Sequence, residues 1–275
     1  MKHNFDWQPI LLQCKANVLV HVQPLLKTLK EPQIDLGRGA GGDQMKMVDL
    51  AAEKAIVEVL LQNGVSFTLV SEESGVKEYG SQAKDHYVTV DPIDGTTNLV
   101  RGLPFYCSSI AISNEPQLSK VNAAMVTDLL HGTTYMAKHG KGANRNGEKI
   151  VTSAVTSLAE AVVGLDLNTY KINELALQAS ALIGQTKHIR HFGANALELC
   201  FVAEGLTDAF VDIRGKLRTT DVAAGFLILK EAGGVISTPE GEAVDAELDP
   251  RQTVKFVASG NPEIHQAILS LIQPK

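Results

Sequence analysis

Cysteine is scarce in this sequence, and long apolar runs are missing from it. Cys14, Cys107 and Cys200 are far apart and odd in number, and each lies in an apolar neighbourhood. Buried, reduced thiols are therefore expected, rather than a disulfide framework or a zinc site. No stretch approaches the roughly 18 apolar residues of a membrane span, and Asp6 interrupts the segment where a secretory signal has its apolar region. We expect a cytoplasmic protein with no membrane partner.

Basic residues are also fewer than acidic ones. The chain carries 25 Lys+Arg against 31 Asp+Glu, a formal net charge of -6. Because nucleic acid is bound mainly through its phosphates, this balance argues against nucleic acid as a partner. The length of 275 residues, with 44% hydrophobic and 20% charged, suits one large domain or two lobes.

Hydrophobic periodicity outlines the fold. Spacings of three and four predict a helix from about Leu11 that ends before Pro32, and a second from about Gln44 to Gln62. Short strands follow, and later strands alternate with helices, so we predict an N-terminal α+β lobe over 1–160 and a C-terminal α/β lobe over 161–275. The predicted strands are 66–70, 87–90, 108–112, 123–128, 132–137, 162–165, 188–192, 209–211, 235–236 and 256–258, with a hairpin over 139–150. The later predicted helices are 173–183, 196–203, 222–232 and 262–272.

The most informative string is Asp91-Pro92-Ile93-Asp94-Gly95-Thr96-Thr97, directly after a predicted strand. Proline ends the strand there, because it fixes φ and lacks an N–H group. A four-residue turn brings its first and last Cα atoms within about 7 Å, so the carboxylates of Asp91 and Asp94 should be close. Two unit charges about 4 Å apart repel by about 4 kcal/mol at an effective dielectric near 20. A divalent cation would relieve that repulsion.

A simpler interpretation has one aspartate capping a helix and the other in solvent, the more frequent outcome for an ordinary Asp-x-x-Asp. Gly95, Thr96 and Thr97 argue against it, because they offer unhindered amides at a predicted helix N-terminus, where phosphate is favoured, and a hydroxyl to hold a water. Other acidic residues, which lie after a predicted strand, at a predicted helix start or on the second predicted helix, add oxygen ligands that suit Mg²⁺ or Mn²⁺ rather than zinc. These residues are Glu72, Glu73, Asp49 and Asp221.

Three segments resemble, in this order, the signatures of the inositol monophosphatase superfamily of Mg²⁺-dependent phosphatases. They are Ser71-Glu72-Glu73-Ser74, the DPIDGTT string at 91–97, and Thr220-Asp221-Val222-Ala223-Ala224-Gly225. The likeness covers nearly the whole chain. It implies an α/β (α+β) fold class, a layered α-β-α-β-α sandwich of the sugar phosphatase type, and a homodimer. It also implies a small phosphate monoester as substrate.

The resemblance further implies a set of site residues. Glu72, Asp91 and the carbonyl of Ile93 would hold one Mg²⁺, and Asp91, Asp94 and Asp221 a second. Thr96 with Asp49 would orient the attacking water, next to the catalytic Glu72. Asp94 and the amides of Gly95 and Thr96 would contact the substrate phosphate.

Three departures bear on the substrate. Leu99 and Thr220 replace aromatic residues that many members carry, and Gly193-Ala194-Asn195 stands where the family has a Gly-Thr/Ser-Ala contact segment. Ala194 and Asn195 are therefore expected to touch the substrate. The basic stretch from Asp212 to Arg218 resembles archaeal dual-specificity members, which hydrolyse fructose 1,6-bisphosphate and inositol monophosphates.

A second phosphate needs a cationic anchor, for which an arginine fork is best suited. Arg190 and Arg214 are the candidates, whereas a plain surface role is nearly as expected for Lys216 and Arg218.

Other patterns support weaker alternatives. Gly37, Gly39 and Gly42 match GxGxxG, with Glu72 as a ribose acceptor, but a preceding buried strand is missing. A mobile flap near the metals fits the segment better. His188 and His191 lie three apart on a predicted strand, so they face opposite sides and make a poor metal pair.

Two alternative functions stay open. One is a nucleotide 3′-phosphatase acting on adenosine bisphosphate, and the other is a non-catalytic regulator that binds metal and phosphate.

Overall fold

The structure is a computed structural model that describes residues 5–26, 36–168 and 172–272. It opens with two packed helices, α1 (Trp7–Leu26) and α2 (Met47–Gln62). The predicted apolar faces are buried, and α2 ends where Asn63 caps it and Gly64 takes a left-handed φ of 70°. The predicted extension of the first helix beyond residue 26 lies outside the described residues.

The first sheet has eight strands in the order β2-β1-β3-β4-β5-β6-β7-β8. Only the β1–β3 pair is parallel among the pairings of this described sheet, and every other pair is antiparallel. The strands are β1 (Phe67–Ser71), β2 (Gly75–Tyr79), β3 (Tyr87–Asp94), β4 (Cys107–Ser113), β5 (Val121–Asp128), β6 (Thr134–Lys138), β7 (Ala143–Arg145) and β8 (Glu148–Lys149). A short helix, α3 (Thr96–Arg101), follows β3. Asn146 and Gly147, with φ of 51° and 87°, form the predicted hairpin turn.

The second sheet has five strands in the order β10-β9-β11-β13-β12. Its strands are β9 (Val162–Leu165), β10 (His188–Arg190), β11 (Ala209–Arg218), β12 (Val235–Ser237) and β13 (Thr253–Ser259). The accompanying helices are α4 (Ile172–Gln185), α5 (Asn195–Ala203), α6 (Thr219–Glu231) and α7 (Pro262–Ile272). The division of the chain near residue 160 stays a prediction, although the two sheets draw their strands from either side of it.

Three apolar clusters define the layers. One joins α1 and α2 to the first sheet, a second fills the space between the sheets around α5 and α6, and a third lies under α4 and α7. Side chains on β11 point alternately to the two faces of the second sheet. Phe210 therefore belongs to the cluster between the sheets, and Val211 belongs to the cluster under α4 and α7. The layered α-β-α-β-α sandwich is thereby confirmed.

Three elements differ from the sequence-based prediction. The strand β3 runs through Pro92 to Asp94, where a strand end and a four-residue turn were predicted, and the proline is accommodated because the pairing with β4 shifts register between Asp91 and Asp94. The strand β2 was not predicted, because it is an edge strand with three consecutive exposed residues and little apolar alternation. The strand β11 runs to Arg218 rather than to Val211, since polar residues alternate along it and Gly215, at φ 67°, lies where its pairing register shifts. The second half of β11, which carries the basic stretch, thereby lines the cleft.

The three cysteines are free and buried, as predicted. In the ranges that the structure describes, no helix combines the length and apolar character needed to cross a bilayer.

Candidate active site

A cleft of about 680 Å³ opens where the end of β3 meets β11 and the loop before α2. Both halves of the chain contribute to it, including Glu72 from the turn after β1, Asp91 from β3 and Asp221 from α6. The predicted residues Asp49 and Thr96 also line it. The fold therefore gathers most of the sequence-predicted site in one place.

Three carboxylates form the centre of the cleft. Glu72, Asp91 and Asp221 each offer an oxygen, and these oxygens lie within 4.8 Å of one another. Asp91 is 3% exposed, and its Oδ1 has no hydrogen-bond partner among the described residues. A buried carboxylate oxygen without a partner is costly unless a cation or water satisfies it. The donor set consists of hard oxygens, which suits Mg²⁺.

Arg218 enters this carboxylate cluster, contrary to the surface role considered from sequence. Its Nη2 lies 2.8 Å from Glu72 Oε1, and its Nε lies 3.4 Å from Asp221 Oδ1. Nη1 reaches the loop before α2, at 2.9 Å from Asp43 Oδ2 and 3.2 Å from the Gly41 carbonyl oxygen. The spacing of Arg218 and Asp221, three residues apart at a helix start, is the sequence signal that could have revealed it.

Burial dominates the electrostatics of the cluster. It raises the pKa of Glu72 to about 8, opposed by the Arg218 guanidinium and reinforced by the Asp221 carboxylate. Burial likewise raises the pKa of Asp91 well above its usual range, with the carboxylates of Glu72, Asp94 and Asp221 adding to the shift. A divalent cation would reverse this penalty by favouring the ionised forms.

Asp94 links the carboxylate cluster to the start of α5. Its Oδ2 accepts a hydrogen bond of 2.6 Å from the Ala196 N–H group at the start of α5, and the Cys107 thiol lies 3.6 Å from the same oxygen. Burial raises the pKa of Asp94 to about 7, with Asp221 adding to the rise and the Ala196 amide opposing it. The three-carboxylate group does not include Asp94, so its predicted place beside a second metal stays a prediction.

The predicted phosphate turn has the required backbone. Gly95 has a φ of 88°, which a side chain would strain, and it precedes α3. Thr96 Oγ1 donates a 2.9 Å hydrogen bond to the Ile93 carbonyl, the group expected to bind a metal. Contact of the Gly95 and Thr96 amides with phosphate stays a prediction.

Asp49 is almost wholly buried on α2, at 2% exposure. Its Oδ2 accepts the Lys46 N–H group at 3.0 Å, whereas its Oδ1 lacks a partner within the described part of the chain. Burial raises the pKa of Asp49 to about 6, and the Lys46 ammonium and amide oppose the rise. Thr96 donates to Ile93 rather than to Asp49, so a shared water remains the expected link between them.

The loop with the GxGxxG pattern packs on the cluster. Ala40 N–H donates to the Glu73 carbonyl at 3.0 Å, and Gly41 N–H to the Glu72 carbonyl at 2.8 Å. Gly39 and Gly41 allow this approach, because an added Cβ would lie 2.9 Å or less from atoms of Glu72, Glu73 or Arg218. Glu72 faces the carboxylates, as the metal site requires, rather than a ribose position on this loop.

Of the residues predicted to contact the substrate, some line the cleft and others lie away from it. Asn195 and Arg214 line the cleft, whereas Ala194 is wholly buried against Gly95. Arg190 is exposed, and its guanidinium donates to the Ile189 carbonyl, so it stands apart from the cleft lining found in the described ranges. A substrate role for Ala194 or Arg190 therefore has no support in their placement.

Two acidic residues were missed by the sequence reasoning. Asp166 follows β9 and lines the cleft, and it pairs with Arg214. Glu198 is buried on α5, and its Oε1 accepts the N–H groups of Phe192 and Gly193 at 3.2 and 2.9 Å. Burial raises the pKa of Glu198 to about 8, with these amides opposing the shift. Asp166 follows a predicted strand just as Glu72 does, and that signal could have found it.

Comparison with known proteins adds four findings. Residues 15–275 match the model of the inositol monophosphatase family. A fructose-1,6-bisphosphatase/inositol-1-monophosphatase of Methanothermobacter thermautotrophicus is 33% identical over 98% of this chain and 97% of that protein. A bifunctional NADP phosphatase/NAD kinase of Methanococcus maripaludis is 31% identical over 97% of this chain, which spans 49% of that protein. A crystal structure described as an inositol monophosphatase-fructose 1,6 bisphosphatase superposes with a TM-score of 0.85 at 27% identity, covering 97% of this chain and 100% of that one.

Proposed function

The chain belongs to the inositol monophosphatase family, and we propose that it is a Mg²⁺-dependent phosphatase that hydrolyses inositol 1-phosphate and fructose 1,6-bisphosphate. Family membership supports the coarser function, release of phosphate from small sugar and polyol phosphates. One observation carries the proposal. Carboxylates from three remote parts of the chain, Glu72, Asp91 and Asp221, meet within 4.8 Å in a cleft that also contains the Gly95–Thr96 turn.

The chemistry of monoester hydrolysis fits the residues of the cleft. Glu72, Asp91 and Asp221 would hold the cation, which supplies a potent nucleophile at neutral pH and neutralises charge on the phosphoryl oxygens. Asp49 Oδ1 is buried and available to take a proton from the attacking water, and a pKa of about 6 suits that role near neutrality. The Thr96 hydroxyl donates to Ile93, which leaves its lone pairs to accept a hydrogen bond from the same water.

A nucleotide phosphatase is the second candidate. The observation that favours it is the 31% identical relative named for an NADP phosphatase. A panel of inositol 1-phosphate, fructose 1,6-bisphosphate, NADP and adenosine 3′,5′-bisphosphate separates the two functions. We expect the highest kcat/KM on the first two substrates.

The decisive experiment measures phosphate release with Mg²⁺, after EDTA, and in the variant Asp94→Asn. We expect EDTA to abolish turnover reversibly, and Asp94→Asn to lose at least about a hundredfold in kcat while its circular dichroism spectrum stays unchanged. The control Asp245→Asn removes an exposed carboxylate that pairs with Ser119 and should retain activity.

Undiminished turnover in EDTA or in Asp94→Asn would overturn the proposed site. Binding of Mg²⁺ and phosphate without product from any substrate would instead support a non-catalytic regulator.

A further inference from the structure

The predicted anchor for a second phosphate, Arg214, is already paired on both sides. Its Nη1 lies 2.6 Å from Asp166 Oδ2, its Nε donates to Asp212 Oδ2 at 2.9 Å, and its Nη2 pairs with the same carboxylate. Nη1 also donates to the Asn168 carbonyl at 3.3 Å. Only 6% of the Arg214 side chain is exposed. A ligand in the cleft therefore meets a guanidinium that already makes four contacts through its five N–H donors.

The charge of this group is negative. Two carboxylates, Asp166 and Asp212, face one guanidinium, which leaves a net charge of -1. Asp212 is wholly buried, whereas Asp166 and Arg214 line the cleft. The other ionisable groups nearby are His191, whose Nδ1 lies 3.9 Å from Asp166 Oδ1, and Lys216, which is exposed on the cleft lining.

The group lines the same cleft as the carboxylate cluster, and the strand β11 limits the distance between them. Arg214 and Arg218 are four residues apart on β11, and Arg218 contacts Glu72. A strand rises about 3.3 Å per residue, so the two positions are separated by at most about 13 Å along the chain. A substrate whose reacting phosphate lies at the carboxylate cluster would extend its other end along the cleft toward Asp166.

We propose, on the basis of the phosphatase function proposed above, that Asp166 is a specificity-determining residue. By pairing with Arg214 it favours substrates whose far end carries uncharged hydroxyl groups over substrates that carry a second phosphate there. A hydroxyl can donate to the Asp166 carboxylate, which accepts several hydrogen bonds. A phosphate at this point would face the net negative charge of the group formed by Asp166, Asp212 and Arg214, and would have to displace a carboxylate held at 2.6 Å.

The test is a change of substrate preference in Asp166→Asn. This variant removes one negative charge, makes the group neutral and releases Nη1 of Arg214. We expect the kcat/KM ratio of fructose 1,6-bisphosphate over inositol 1-phosphate to rise about tenfold at low ionic strength and less in high salt. The matched control Asp166→Glu keeps the charge and should keep a ratio within about threefold of wild type.

The outcomes separate the two proposals. No turnover on either substrate in the wild-type protein would overturn the phosphatase function, not the role of Asp166. A ratio that is unchanged or lower in Asp166→Asn, with wild-type turnover intact, would overturn the role of Asp166 alone. If the asparagine variant does not fold, Asp166→Ser makes the same change of charge and is held to the same result.

Discussion

Arg218 offers the sharpest test of how the cleft is held together. Its guanidinium lies between carboxylates from α6, from the end of β1 and from the loop before α2, namely Asp221, Glu72 and Asp43. The side chains of Arg218, Glu72 and Asp221 are 16%, 13% and 4% exposed. Substitution Arg218→Gln keeps much of the side-chain length and removes the charge. The remaining carboxylates then face one another without a cation.

The magnitude follows from the burial of each partner. Removing one member of a buried ion pair typically costs about 3–5 kcal/mol, because the other charge stays buried and unpaired. The contact with Asp43, which is 75% exposed, adds less than about 1 kcal/mol. Since Arg218 keeps some solvent contact, we expect the free energy of unfolding in EDTA to fall by about 3 kcal/mol. That is a large share of the roughly 5–15 kcal/mol that stabilises a typical domain.

Urea unfolding followed by circular dichroism measures the effect, in EDTA and with excess Mg²⁺. Mg²⁺ at about 100 times its dissociation constant should add about 2.7 kcal/mol to either protein, because it binds the folded state. The control Arg251→Gln removes an exposed cation from the same cleft and should change stability by less than about 0.5 kcal/mol. If Arg218→Gln lowers the free energy of unfolding no more than the control does, the buried pairing is refuted.

Two further predictions concern stability. His265 is buried between the hydroxyls of Ser237 and Ser259, and burial lowers its pKa below the usual 6.5. The unfolded state then binds more protons below pH 6.5, so the contribution of His265 is present above that pH and is lost as the pH falls through its folded-state pKa. Wild-type stability in urea should therefore fall more steeply with acid than that of His265→Gln, by at most about 1.4 kcal/mol per pH unit, and parallel declines would contradict the assignment. For the turn, Gly95→Ala should lower both the melting temperature and kcat/KM, because its Cβ would lie 3.0 Å from neighbouring atoms. Gly102→Ala has a similar φ of 76° and open space around it, so equal effects of the two variants would show that backbone strain alone is responsible.

The order of the elements and the type of chemistry could be read from the sequence. Apolar periodicity predicted both ends of α7 and the end of α2, whose start at Met47 lies three residues after the predicted one, because a helix buries one face every 3.6 residues. Gly95 marked the turn after β3, because it acts through the local backbone. Pro92 did not mark the end of β3, which continues through the proline to Asp94. The acidic character of the site was equally a local fact of composition.

Which polar groups pair with one another was decided by the tertiary structure. The sequence analysis treated each charged residue by itself, so it gave Arg214 and Arg218 other roles and missed Asp166. Ion pairing depends on neighbours that are remote along the chain, and the sequence does not identify them. Asp166 meets Arg214 only since β9 and β11 lie side by side, with Val211 opposite Leu165. A sequence records which charges are present, whereas the packing of sheets and helices decides the distance between them, and the energy of a charge pair depends on that distance.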